Sequence, residues 1–144
     1  MPVMRTALSI VTSALFGLSL VFACNGDEEG GSAGQACDVP DHCYEDADRD
    51  AIVGEIMCLD RVPGGYCTHL CQSDADCCAA DGECDGRPQV CAPFESTGMM
   101  MCFLSCEDAD LDGDDPDAYC DEYAHPEFSC RSTGGGSANR KVCA

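Results

Sequence analysis

Residues 67–78 read CTHLCQSDADCC, and the cysteine spacing of this stretch recurs on both sides of it. Its C-x3-C junction, from Cys67 to Cys71, appears again from Cys102 to Cys106. Counted from these junctions, the chain divides into units that start 34 and 35 residues apart. A fixed period of this length is typical of repeat architectures. The sequence therefore predicts three copies of one cysteine ladder, at residues 37–67, 71–102 and 106–143.

The cysteine content indicates the fold class. The chain has 144 residues, of which 15 are cysteine and none is tryptophan. In short chains of this kind, disulfides replace the burial that a large apolar core would supply, and each stabilises the fold by roughly 2–4 kcal/mol. The sequence predicts a small disulfide-rich fold of short β-hairpins and loops in about three cysteine-ladder repeats, with little helix outside the signal segment described below.

Fourteen of the cysteines fall inside the three units, four in the first, six in the second and four in the third. Fourteen cysteines allow on the order of 10⁵ pairings, so spacing leaves the connectivity open. The even counts make pairing within each unit the simplest hypothesis. The predicted structural cysteines are Cys37, Cys43, Cys58, Cys67, Cys71, Cys77, Cys78, Cys84, Cys91, Cys102, Cys106, Cys120, Cys130 and Cys143.

Dense turn signals, such as Pro63-Gly64-Gly65, separate segments that are too short for substantial helices. The strand candidates are residues 52–59, 65–68, 89–92 and 99–104, with weak helical turns at 45–49 or 74–78. Each strand candidate ends near a cysteine that can staple it.

The first 23 residues predict a signal peptide. One positive charge, Arg5, precedes an apolar stretch of small residues from Ala7 to Ala23 that contains no acidic residue. This stretch is too short and too rich in Ser and Thr for a membrane span, which favours cleavage.

The ending LVFAC at residues 20–24 resembles the lipobox of bacterial lipoproteins, in which an aliphatic residue stands three positions before a cysteine and a small residue directly before it. Val21 and Ala23 match this pattern, and Phe22 departs from it. The resemblance implies that Cys24 is acylated; cleavage after Ala23 with an unmodified Cys24 is the alternative. Acylation also leaves an even number of cysteines that can pair completely.

Residues 25–35 read NGDEEGGSAGQ, and this acidic, glycine-rich segment has little to bury. It predicts a flexible tether over residues 24–36 that links the lipid anchor to a body at residues 37–144. By resemblance to Gram-negative lipoproteins, the absence of Asp directly after Cys24 implies sorting to the outer membrane. The membrane is therefore an expected partner through the lipid anchor.

Nearly the whole chain is similar to the cysteine-rich lipoproteins that large-genome Gram-negative soil bacteria encode in many copies. The similarity rests on the lipobox, the acidic tether, GGYCT at residues 64–68 and CQSDADC at residues 71–77. It implies a lipid-anchored location in the cell envelope and no particular activity. The doublet Cys77-Cys78 and the acidic insert after Cys106 depart from the simpler ladder.

Charge and missing motifs exclude several classes of function. A net charge of -20 argues against nucleic-acid partners, which require clustered Lys and Arg. No G-x-S-x-G, HExxH or P-loop occurs, and without C-x2-C pairs His42, His69 and His125 are weak zinc candidates. The expected function is a non-enzymatic, lipid-anchored envelope protein that presents an acidic binding or structural module to an unidentified protein or envelope partner. The alternatives are a secreted disulfide-rich inhibitor or effector and a calcium-dependent adhesion module.

One acidic loop has the pattern of a calcium site. Residues 108–117 read DADLDGDDPD, with carboxylates at alternate positions before a glycine, as at the start of an EF-hand loop. The pattern then fails at its twelfth position, where Tyr119 replaces the usual Glu, so a solvated acidic loop is the competing interpretation. The expected ligands of the calcium ion are Asp108, Asp110, Asp112, Asp114 and Asp117.

Overall fold

The computed structural model describes residues 32–84, 86–93, 98–134 and 139–144. The described residues form three two-stranded antiparallel sheets and one α-helix. The elements are β1 (Ile56–Cys58), β2 (Cys67–His69), β3 (Gln89–Pro93), β4 (Met100–Leu104), α1 (Pro116–Tyr123), β5 (Cys130–Ser132) and β6 (Lys141–Cys143), with 3₁₀ turns at Pro40–His42 and Asp74–Asp76. The predicted small disulfide-rich fold of short hairpins is confirmed. Within these ranges, no helix has the length and apolarity needed to cross a membrane.

Each hairpin places two cysteines directly opposite one another. The opposed pairs are Cys58 and Cys67 in β1–β2, Cys91 and Cys102 in β3–β4, and Cys130 and Cys143 in β5–β6. Opposite residues of antiparallel strands project from the same face. Each hairpin therefore presents two neighbouring sulfurs to the cysteines that precede it in the chain.

Seven disulfides join the fourteen cysteines, and each bond stays within its own unit. The first ladder cysteine bonds to the third and the second to the fourth. The pairs are Cys37–Cys58, Cys43–Cys67, Cys71–Cys91, Cys77–Cys102, Cys106–Cys130 and Cys120–Cys143. In every unit the sulfurs of the first, second and fourth ladder cysteines lie within 4.8 Å of one another, so the two bonds pack together. Pairing within units is confirmed, and the additional bond Cys78–Cys84 explains why the second unit has six cysteines.

The C-x3-C junctions couple each hairpin to the next. Beyond β2, Leu70 pairs with Met101 of β4, and beyond β4, Ser105 pairs with Val142 of β6. In both cases, the residue before the first cysteine of a unit meets the residue before the last cysteine of that unit. The short junction therefore carries each strand directly onto the edge of the following hairpin.

The three units share one apolar cluster. Tyr66 lies at its centre, with its ring centroid 5.4 Å from that of Phe103 and 5.5 Å from that of Phe128. Tyr66 lies in the first unit, Phe103 lies in β4 directly after the last cysteine of the second unit, and Phe128 lies in the third unit. The Leu104 amide donates to the Tyr66 hydroxyl at 3.3 Å, and burial raises the pKa of Tyr66 above its ordinary value. The body is therefore one packed structure in which each unit completes the core of the others.

Gly65, in the turn between β1 and β2, allows the start of the first unit to approach this hairpin. Its φ is 77°, and a Cβ atom there would lie 1.9 Å from the Cys37 carbonyl oxygen. Both the left-handed conformation and the close approach require glycine.

The helix α1 lies in the acidic insert of the third unit, where the sequence analysis predicted a loop. The Asp115 side chain caps it by accepting hydrogen bonds from the amides of Asp117 and Ala118, at 3.1 and 3.0 Å. Pro116 occupies the first turn. An Asp-Pro pair is a helix-start signal, which the interpretation of residues 108–117 as one calcium loop obscured.

The predicted tether includes residues that pack against the body. Residues 32–36 had been assigned to the tether, but Ala33 is only 2 % exposed. The Gly34 amide donates to the Cys67 carbonyl at 3.0 Å, and the Cys67 amide donates to the Gln35 carbonyl at 2.9 Å. Backbone hydrogen bonds thus hold residues 32–36 against β2, although the composition of this segment is polar. The predicted signal peptide at residues 1–23, the predicted acylation site Cys24 and residues 25–31 of the predicted tether lie outside the described residues.

Candidate functional site

A cavity of about 500 Å³ lies where the three units meet. Its lining consists of Arg61, Val62 and Pro63 from the first unit, Pro93 and Phe103 from the second, and Glu127, Phe128, Arg131, Ser132, Thr133, Val142 and Ala144 from the third. Small-molecule sites have volumes of roughly 300–1,000 Å³. The cavity has the size of a ligand site, and no single unit could form it.

The residues that line the cavity fall into an apolar group and a polar group. Three of the lining residues, Phe103, Phe128 and Val142, are apolar and buried. The exposed lining residues include two arginines, Arg61 and Arg131. Apolar walls with a few polar groups are typical of pockets that bind small molecules.

The charge of the lining differs from that of the rest of the molecule. The chain has 7 basic residues against 27 acidic ones. Among the lining side chains, Arg61 and Arg131 are accompanied by one carboxylate, Glu127. The lining side chains therefore include more basic than acidic groups, in contrast to the chain as a whole.

A second feature is a buried hydrogen-bonded pair, His69 and Glu83, which joins β2 to the second unit. His69, at the end of β2, has its Nε2 atom 2.7 Å from Glu83 Oε1, and neither side chain has any exposed surface. Its Nδ1 atom lies 2.7 Å from the Val53 carbonyl oxygen and 3.1 Å from that of Leu70. Burial alone lowers the pKa of His69, but the hydrogen bonds to Glu83 and to the carbonyl groups outweigh burial, so the pKa is raised.

The additional disulfide of the second unit closes the loop that presents Glu83. Cys78–Cys84 joins residues only six positions apart, with Glu83 next to its end. The Ala80 amide donates to Glu83 Oε2 at 2.8 Å, so both carboxylate oxygens have partners. We refer to residues 78–84 as the Glu83 loop.

The first two predicted calcium ligands, Asp108 and Asp110, form hydrogen bonds with residues outside the predicted site. Lys141 Nζ donates to Asp108 Oδ1 at 2.7 Å and holds the pKa of Asp108 below its usual range. The Ser105 hydroxyl donates to Asp110. The first and second predicted ligands therefore face different partners.

The remaining predicted ligands have structural contacts of their own. Asp112 adopts a φ of 51° in the turn that the Asp114 amide closes onto the Leu111 carbonyl at 2.9 Å. Asp117, in α1, accepts a hydrogen bond from the Cys130 amide at 2.9 Å. In the described part of the chain, the groups of three or more metal-binding side chains with ligand atoms within 4.8 Å of one another contain only disulfide-bonded cysteines. Calcium binding stays a prediction, and it would require the aspartates to exchange these contacts.

Sequence reasoning identified His69 only as a weak zinc candidate. Alternation along the strand places His69 on the same face as Cys67, which indicates an inward-facing ring. Nothing in the local sequence points to Glu83, fourteen residues away. The cavity residues Arg61, Phe128 and Arg131 carry no local signal either, because they come together only when the units pack.

Comparison with known proteins does not assign the chain to a family. No protein-family model matches it, and no curated protein or solved structure matches it significantly. The cavity and the buried ion pair are therefore the features from which its function is inferred.

Proposed function

We propose that this protein is a non-enzymatic, lipid-anchored module of the outer membrane that binds a small amphipathic anion in the cavity between its three units. One observation carries the binding part of the proposal, namely the combination of buried apolar walls with two exposed arginines in one cavity of about 500 Å³. This combination favours the binding version of the module over the purely structural one.

The two parts of the lining select the ligand class. Phe103, Phe128 and Val142 can cover an apolar body, at about 25 cal/mol for each Å² removed from water. An arginine of the lining, such as Arg131, can donate charge-assisted hydrogen bonds to an anionic group. A polyanion is disfavoured because the chain carries a net charge of -20. The preferred ligand therefore has an apolar chain or ring and a single carboxylate.

Disulfides support this role by keeping the walls in place without a ligand. Cys106–Cys130 ends directly beside Arg131, and Cys120–Cys143 ends beside Val142. A preorganised site loses less conformational entropy on binding. A rigid, cross-linked module on a lipid anchor is consistent with capture of a ligand at a membrane surface.

The binding test compares decanoate with decanol, which share the apolar chain and differ in charge. Calorimetric titrations use the full chain carrying Cys24→Ser, which we expect to be free of the membrane. Decanoate is expected to bind more tightly than decanol, and Arg131→Gln is expected to weaken decanoate binding about tenfold, or 1.4 kcal/mol, while leaving decanol unchanged.

The matched control is Arg49→Gln, because Arg49 pairs with Asp41 and does not line the cavity. It should leave the binding of both probes unchanged. Equal affinities for decanoate and decanol, or no binding of either, would overturn the binding proposal.

The anchoring part is tested by mass spectrometry of the natively expressed protein. The expected mature chain starts at an acylated Cys24 and has no free thiols, and Cys24→Ser abolishes the lipid mass. An unmodified residue 24 would instead support the secreted inhibitor or effector. This result is independent of the ligand titration.

A further inference from the structure

Both nitrogen atoms of the His69 ring face hydrogen-bond acceptors. Nε2 lies 2.7 Å from a Glu83 carboxylate oxygen, and Nδ1 lies 2.7 Å from the Val53 carbonyl oxygen. Opposite an ionised Glu83, a neutral imidazole, which carries one N–H, could satisfy only one of these contacts, whereas the imidazolium satisfies both. Because the two side chains have no exposed surface, water cannot compensate for an unmade contact. The geometry therefore selects the charged ring.

We propose that His69 and Glu83 form a pH-dependent latch that fastens the Glu83 loop of the second unit to the first unit. While the ring is charged, it neutralises the buried carboxylate and donates a hydrogen bond to it. When the ring loses its proton, the carboxylate is left buried without a counter-charge, which is strongly unfavourable. Glu83 then moves into water, and the loop that carries it separates from β2.

The loop, rather than the strand, is the element that can move. Cys78, Ala79, Asp81 and Gly82 are exposed. In contrast, all three residues of β2 are buried. The short disulfide keeps the loop closed on itself, so it can separate from β2 without unravelling. Because the loop has exposed residues and β2 has none, the loop is the part of this joint that opens more readily.

The neighbouring titratable groups do not substitute for His69. The Asp76 carboxylate accepts hydrogen bonds from the Gln72 and Ser73 amides, which lower its pKa, and the His69 charge lowers it further. Tyr44 contacts the His69 ring edge-on, at 5.5 Å between centroids, and burial raises the pKa of Tyr44 well above its ordinary value. Asp76 therefore remains charged, and Tyr44 remains neutral, throughout the range in which the latch opens.

The sign of the pH effect follows from the direction of the His69 shift. The pKa of His69 is higher in the folded chain than the value of about 6.5 expected when it is unfolded. The latch therefore stabilises the structure fully below about pH 6.5, and this contribution is lost as the pH rises through the folded value.

The test follows His69 and the loop by NMR in the full chain carrying Cys24→Ser. The His69 ring signal is assigned with His42→Gln and His125→Gln, which remove the other two histidine signals. We expect the His69 signal to titrate with a midpoint above about 6.5. After correction for intrinsic base catalysis, exchange of the Ala80 amide should accelerate about tenfold or more with the same midpoint.

Glu83→Gln removes the charge of the partner at nearly constant shape. It should lower the His69 midpoint and abolish the pH dependence of Ala80 exchange, whereas the exposed control Glu45→Gln should change neither. The proposal is overturned if His69 in the unmodified pair titrates at or below about 6.5. It is also overturned if Ala80 exchange does not follow the His69 midpoint. The His69 midpoint and the exchange of the Ala80 amide are both measured in the protein that keeps Glu83. Poor folding of the Glu83→Gln variant would therefore not prevent the test.

Discussion

The two joints between successive units place their ion pairs in opposite environments. Between the first and second units, His69 and Glu83 are completely buried. Between the second and third units, Arg140 binds Asp74, and within the third unit it also binds Glu107; the exposed fractions of the three side chains are 25 %, 50 % and 34 % respectively. The N···O distances are similar, from 2.6 to 2.8 Å. Distance alone therefore does not distinguish the two joints, whereas exposure does.

Exposure determines what each ion pair contributes. Exposed pairs are screened by solvent and salt, and each stabilises a protein by about 0–1 kcal/mol. A buried pair gains little over well-packed apolar residues, but removing one partner leaves an unpaired charge in the interior. The first joint is therefore sensitive to a single substitution or to a change of pH, whereas the second joint tolerates both.

The largest expected effect comes from comparing one substitution at the two joints. At a pH low enough to keep His69 charged in the variant, Glu83→Gln leaves the buried imidazolium without a counter-charge and should lower the free energy of unfolding by about 3–5 kcal/mol. Glu107→Gln removes the partly exposed partner that Arg140 has within the third unit and should cost about 0.2–1 kcal/mol. Denaturant titration with the disulfides intact measures both values. Equal losses at the two positions would contradict the distinction between the joints.

A smaller effect is expected from opening the Glu83 loop. Replacing both cysteines of the additional disulfide (Cys78→Ser with Cys84→Ser) removes a short cross-link, worth about 2 kcal/mol from its loop length. If the disulfide acts by positioning Glu83, a double-mutant cycle should show coupling. Removing the disulfide and changing Glu83→Gln together should then lower the free energy of unfolding by less than the sum of the two separate losses. Full additivity would mean that the loop and the buried pair act independently.

The smallest effect concerns calcium at the exposed, acidic third unit. If Asp108, Asp110, Asp112, Asp114 and Asp117 bind the ion, calcium at its dissociation constant, about 1 mM for an extracellular module, should stabilise the protein by about 0.4 kcal/mol. The signal should disappear on changing Asp110 and Asp112 to Asn. A calorimetric titration that is flat, with an unchanged melting temperature, would leave these aspartates with the structural contacts described above.

Local patterns predicted the parts of the fold that depend on local contacts. The cysteine period identified the three units, and the candidates at residues 89–92 and 99–104 nearly coincide with β3 and β4. The candidate at 52–59 was too long, since β1 spans only Ile56–Cys58. The third hairpin, β5–β6, was missed because its unit has looser spacing and few apolar residues.

The sequence by itself determined the fold class and the pairing of cysteines within units. Partners in each disulfide are at most 25 residues apart, and the nearest even set of cysteines lies in the same unit. Tertiary structure alone decided which units meet and through which side chains. Arg140 binds Asp74 across 66 residues, and the cavity takes its walls from all three units. Such contacts depend on how successive hairpins stack and on which side chains that stacking buries, and neither can be read from the spacing of residues within one unit.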